Sequence, residues 1–136
     1  MKIMTQKDKE LLLGDLCSRL PYFTKVQIKN EIVVLDSICD DDGYRFNFIG
    51  DDKEGVTIEQ VKPYLFPISS MTEEQKVEYD KMSELDIDYT ITQIKNDSLI
   101  WTSGLNRFNW LLKNHFDVYG LIPMGLAEDA TNKNIY

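Results

Sequence analysis

The sequence predicts an α+β domain: an antiparallel sheet of about five strands, with a small SH3-like barrel at the first meander as one version of it, covered by three helices. Three observations carry that expectation. Apolar residues recur at helical spacing over residues 5–20 and again over 105–116. Between Thr24 and Ile49 the apolar period drops to two, as in strands. Turn-forming residues punctuate the chain at short intervals, with no linker, repeat or low-complexity tract. A length of 136 residues fits a single domain, 1–136, and a chain of that size buries about two thirds of its unfolded surface without needing a metal or a disulfide.

Leu12, Leu13, Leu16, Cys17 and Leu20 form the apolar face of the first helix, with Thr5 as N-cap, Asp8 in the first turn and Pro21 as the stop. Val26 with Ile28, the run Ile32 to Leu35, and Tyr44, Phe46 and Phe48 read as three strands turning at Lys29-Asn30 and Asp42-Gly43. Val56 to Ile58 is expected as a fourth short strand, after which Pro63 and Pro67 hold Tyr64-Leu65-Phe66 extended. Thr72-Glu73-Glu74-Gln75 is a capping box opening a helix that buries Val77, Met82 and Leu85. Residues 87–101 read as a second hairpin turning at Asn96-Asp97, and Ser103 as the cap of the last helix. There Leu105, Phe108, Leu112 and Phe116 share one arc facing the sheet. The tail from Asp117 carries Leu121, Ile122, Met124 and Leu126 broken by Gly120, Pro123 and Gly125, and is expected to pack back on the domain.

The net charge is −8, and both halves are acidic: 9 basic against 12 acidic residues over 1–68, and 6 against 11 over 69–136. With no basic lobe to neutralise phosphates, neither nucleic-acid binding nor a membrane partner is expected. Mimicry of a nucleic acid toward a basic protein is the minor reading that acidity leaves open. Residues 1–5 lack a secretory pattern and no apolar run approaches the roughly 18 residues of a spanning helix, so the expected compartment is the cytoplasm. Cys17 and Cys39 have no C-x-x-C spacing and read as reduced core thiols.

Motifs that carry chemistry are missing. Counting back from Gly43 or Gly55 puts Ile38 or Gly50 at the first position of an EF-hand loop, where Asp is required. One histidine with two separated cysteines is a poor ligand set, so no metal and no cofactor is expected. No P-loop, nucleophile elbow, zinc-protease or dinucleotide fingerprint occurs, and the reading leans away from an enzyme. Asp117 could orient His115 for a Cys–His–Asp system, but the plainer reading is a histidine cation at a helix C-terminus.

The residues singled out for binding are Trp110, Arg107, Tyr119, Tyr64, Phe66 and His115. Trp110 points about 140° away from Leu105, toward Asn106, Arg107 and Lys113, and so needs a cover. Leu121 to Leu126 is the favoured cover, with a partner or a two-fold copy of the chain as the other two possibilities. Arg107 and Tyr119 are reserved for a partner. Tyr64 and Phe66 are expected to bury against the sheet, with a partner contact as the alternative.

The strings Leu11 to Pro21, Tyr64-Leu65-Phe66-Pro67-Ile68-Ser69-Ser70-Met71-Thr72-Glu73-Glu74-Gln75, His115-Phe116-Asp117 and Gly120-Leu121-Ile122-Pro123-Met124-Gly125-Leu126-Ala127 resemble uncharacterised small proteins of gut Bacteroidales and their phages. Residues 86–101 depart from that pattern. The resemblance implies a bacterial or phage setting and carriage on a mobile element, and no activity. The leading expectation is a non-enzymatic, cytoplasmic protein-binding or accessory module acting on a host or phage protein. The alternative is a small-ligand or nucleotide-binding protein with a pocket between the sheet and the last helix, using Arg107 and His115.

Overall fold

The computed structural model describes residues 4–40, 43–51, 53–81 and 105–136. Helix α1 (Gln6–Ser18) begins with a reciprocal cap. The Asp8 amide donates to Thr5 Oγ1 and the Thr5 amide donates to the Asp8 carboxylate, each at 3.1 Å. It ends ahead of Pro21, and Leu20–Tyr22 form one 3-10 turn. The buried side chains are Leu12, Asp15, Leu16 and Arg19, one stripe at helical spacing. The predicted face is therefore rotated: Leu13 is half-buried, and Cys17 is an exposed free thiol. Two opposite charges take core positions as a bidentate pair, in which Arg19 Nη1 alone is left without a hydrogen-bond partner.

Strands β1 (Lys25–Ile28), β2 (Glu31–Asp40) and β3 (Tyr44–Phe48) form the expected antiparallel meander. Val26 stands opposite Val33, Leu35 opposite Phe48 and Ile38 opposite Phe46, which fixes the inner row. Cys39 alternates with Ile38 and is exposed rather than core. One extra residue, Asp36, makes a bulge in β2 between Leu35 and Ser37. The fourth strand is not Val56 to Ile58. Thr57 and Gln60 cap a 3-10 turn at Ile58–Gln60, a local bonding scheme that competes with a ladder, and β4 follows at Val61–Leu65.

β4 pairs antiparallel with β1, while β5 (Glu128–Asp129) pairs parallel with β4. The order β3-β2-β1-β4-β5 is thus a five-stranded mixed sheet, mostly antiparallel. Among the described residues no pairing joins β3 to β4 or β5, so the described strands do not by themselves close the SH3-like barrel that is one version of the expected fold. Helix α2 covers residues 73–81 behind the predicted capping box, in which Thr72 and Gln75 exchange hydrogen bonds of 2.9 and 3.1 Å. Val77 is exposed there and Tyr79 turns inward in its place. Helix α3 is Leu105–Lys113. The expected hairpin over 87–101, Ser103, Met82, Leu85, and Asp41 and Asp42 of the first hairpin lie outside the described residues.

Two apolar clusters result. In the first, Leu12 and Leu16 meet Val26, Ile28, Leu35, Phe46, Phe48, Val61 and Leu65 of the sheet, and the tail adds Leu121, Leu126 and Ala127. The second gathers Trp110, Leu111 and Phe116 with Phe66, Met71, Tyr79 and Val118. Between the clusters lies a buried ionic clamp. The Arg19 guanidinium donates to both Asp15 oxygens at 2.8 and 2.9 Å and to the Phe116 carbonyl at 2.6 Å, tying α1 to the segment beyond α3. Burial pushes the Asp15 carboxyl up against the pull of Arg19.

One pair in the sheet is bridged by a side chain. Lys25 falls opposite Tyr64 in the β1–β4 register, one step beyond Val26 and Pro63. The Lys25 amide donates to the Tyr136 hydroxyl at 2.8 Å, and that hydroxyl donates to the Tyr64 carbonyl at 2.9 Å. The phenol stands in for the missing ladder bonds at the point where β4 turns to pair with β5.

Candidate interaction surface

Helix α3 ends in a left-handed cap. His115 has φ of +64°, and the Phe116 and His115 amides donate to the Leu111 and Leu112 carbonyls at 2.9 and 3.0 Å. This cap resets the direction of the chain, so Phe116 leaves the predicted helical arc and pairs with Phe66 as an isolated parallel bridge. Trp110 is 7% exposed, stacked on Phe116 at 5.8 Å and tilted against Tyr79 at 5.7 Å. The cover of Trp110 is therefore Phe116, Tyr79 and Val118 rather than Leu121 to Leu126, which belong to the first cluster or its margin.

Tyr64 is buried as well, and Phe66 is half-buried between Phe116 and Tyr136. His115 stacks on Tyr136 with centroids 3.6 Å apart. Burial, helped by the charges of Arg19 and Lys25, pushes the imidazole down to about 4. It is neutral at ordinary pH and does not serve as a helix-terminal cation. Asp117 does not orient it, because that carboxylate accepts from the Leu121 and Ile122 amides at 2.8 and 3.0 Å. Of the six candidates only Tyr119, beyond the end of α3, is exposed, and Arg107 is half-buried like Phe66 and His115. Arg107 lies 5.6 Å from the Tyr79 ring, and Tyr119, exposed, meets Phe108 edge-on.

The more developed surface lies at the opposite side of the sheet. The Ile49 amide donates to the Val34 carbonyl at 2.9 Å. Backbone groups alternate sides along a strand, so Asn47 and Arg45 also turn theirs to β2, whereas Phe48, Phe46 and Tyr44 turn theirs outward. Phe48 meets Asp51 across the tight turn at Ile49-Gly50, where Gly50 supplies φ of +68°. Tyr44 and Phe46 are left facing a cleft of about 840 Å³ between β3 and the loop Lys53–Val56. A second cleft of about 450 Å³ lies across the same loop, against the β1–β2 turn.

Among the described residues β3 and β5 are the outer strands of the sheet, and they differ in how they are guarded. β5 is two residues long and acidic, the usual way of blunting an edge. β3 offers five residues, with Tyr44 exposed at 54% and Phe46 and Phe48 beneath it. The charge beside β3 is negative on balance. Lys53 is held by Glu31 and Asp51, Arg45 has an interaction of its own, and Glu54 and Asp40 are exposed. Sequence reading passed over this edge, since alternation marks a strand but not which strand ends a sheet. It also passed over Phe23, a 66% exposed aromatic held at φ of +55°.

Compared with known proteins, the chain matches no family model, no curated sequence and no solved structure. Among the described residues there is no group of three or more His, Cys, Asp or Glu that could hold a metal, and no helix long and apolar enough to cross a membrane.

Proposed function

We propose that this protein is a non-enzymatic binding module that captures an extended segment of a host or phage protein along the edge of β3, in the bacterial cytoplasm. The outward-facing backbone of Tyr44 and Phe46, unpaired among the described residues and opening onto a cleft of about 840 Å³, is the observation that carries this reading. The phage setting rests on the resemblance carried by Tyr64 to Gln75 and Gly120 to Ala127. The test is capture from bacterial lysate with wild type, Tyr44→Pro and an Arg107→Glu/Tyr119→Ala double variant, followed by hydrogen exchange on the reconstituted complex. Proline at the first residue of an edge strand removes one outward donor and leaves the core alone. A partner lost with Tyr44→Pro, kept by the double variant and protecting the Tyr44 and Phe46 amides supports the proposal. The opposite pattern moves the surface to the rim of α3.

A small-ligand role is the second reading, and the 450 Å³ cleft walled by Lys29, Glu31, Lys53 and Gln60 is what favours it. On this reading the ligand would lie away from α3, unlike the site expected from sequence. A thermal-shift screen separates the two, because a ligand at 100 times its dissociation constant adds about 2.7 kcal/mol to stability.

A further inference from the structure

We infer that Arg19 Nη1 and His115 Nδ1 hold one buried water molecule between them, beside the carbonyl of Phe116. Both nitrogens are buried, and neither has a hydrogen-bond partner. Buried polar atoms are almost always paired, with protein or with an internal water, so two orphans at one place call for a ligand. Arg19 is fully buried, and the hydrogen bonds it does make fix where Nη1 points. Nε and Nη2 form one edge of the planar guanidinium, and Asp15 takes that edge at 2.8 and 2.9 Å. On the next edge, Nη2 gives its second hydrogen to the Phe116 carbonyl at 2.6 Å, so the parallel N–H of Nη1 is directed alongside the same carbonyl. His115 is the residue before Phe116, and Nδ1 is the ring nitrogen nearer the backbone. The Arg19 charge is among the causes, after burial, that push the imidazole down to about 4, which sets the two side chains within electrostatic reach.

The chemistry of the pair selects the ligand. Arg19 can only donate, whereas a neutral imidazole carries a lone pair on one nitrogen. A water accepts from Nη1, donates to Nδ1 and has a second hydrogen for the remaining lone pair of the Phe116 carbonyl. That makes about three bonds, the usual number for an internal water. An anion fits less well. Asp15 already neutralises Arg19, and a further negative charge would be buried beside a carboxyl that burial has pushed up. A metal ion is opposed by the guanidinium itself. The water links the Asp15–Arg19 clamp to the His115–Tyr136 stack, whose phenol bridges β1 and β4.

A crystal structure of the whole chain should show the water about 2.7–3.2 Å from both nitrogens. Crystals soaked in bromide should show no anomalous peak there. In solution, nitrogen-15 spectra of His115 should report a proton on Nε2 and none on Nδ1. Oxygen-17 relaxation dispersion counts long-lived internal waters. His115→Phe, which keeps a ring against Tyr136, should hold one fewer than wild type, and Tyr119→Phe the same number.

Nη1 bonded directly to a protein acceptor, a bromide peak at the site, a proton on Nδ1, or a water count unchanged by His115→Phe overturns the inference. The crystal and nitrogen-15 measurements use wild type, so they decide it whether or not His115→Phe folds.

Discussion

Removing one oxygen from Tyr136 should cost this fold more than its exposed position suggests. Tyr136→Phe keeps the ring, and with it the stack on His115 and the contact with Phe66. The substitution deletes the hydroxyl that accepts the Lys25 amide at 2.8 Å and donates to the Tyr64 carbonyl at 2.9 Å. Each such bond contributes a net ~0.5–1.5 kcal/mol, and both partners are backbone groups that have no second strand residue to turn to. Tyr136 is 41% exposed, so water replaces part of the loss. The expected cost is about 1–2 kcal/mol. Urea unfolding should show an unchanged slope and a midpoint lowered by roughly 0.5–1 M. Amide exchange should accelerate at Lys25, while Tyr119→Phe, on an exposed tyrosine, stays within about 0.5 kcal/mol of wild type. A loss under about 0.5 kcal/mol with Lys25 still protected would refute the idea that the phenol completes the β1–β4 ladder.

The remaining expectations concern the clusters and the clamp. Trp110→Ala should destabilise by roughly 3–5 kcal/mol in thermal or urea unfolding, independent of protein concentration; a concentration-dependent loss would mean that a second copy covers the ring. Arg19→Met should cost about 3–5 kcal/mol by stranding the Asp15 charge, and adding Asp15→Leu should recover much of it; a double variant no better than the single one would show that packing, not charge, dominates there. His115 is held near 4 when folded against 6.5 when free. The unfolded chain therefore binds the extra proton between those values, and stability falls as pH drops from 6.5 toward 4, by up to about 3 kcal/mol. His115→Gln should flatten that part of the wild-type stability curve, and parallel curves would refute the assignment. Phe23→Gly should lower the strain of the left-handed position and raise stability by about 1 kcal/mol, read from the same unfolding curves.

Local features were legible in the sequence because they depend on neighbours in the chain. The Thr5–Asp8 and Thr72–Gln75 caps, the stop at Pro21, the alternation in β1 and β3 and the continuous apolar run in β2 all rest on patterns within a few residues. The α+β class follows from those elements, since an alternating sheet and an amphipathic helix each need an apolar face covered. The tertiary structure decided everything that depended on residues distant in the chain. Asp15 and Arg19 stand i,i+4 on a helix, a spacing that by itself makes a solvated pair as easily as a buried one, and it is Phe116, 97 residues on from Arg19, that supplies the carbonyl under which the guanidinium is buried. Trp110 looked uncovered because helical extrapolation ran through His115, where the left-handed turn swings Phe116 back over it. The parallel β5 and the phenol bridge join residues more than 60 apart. Which strand lies at the edge is likewise a property of the assembled sheet. Tyr44, Phe46 and Phe48 alternate in the same way whether or not another strand stands beside them, so the surface on which the proposed function rests came from strand order and not from residue pattern.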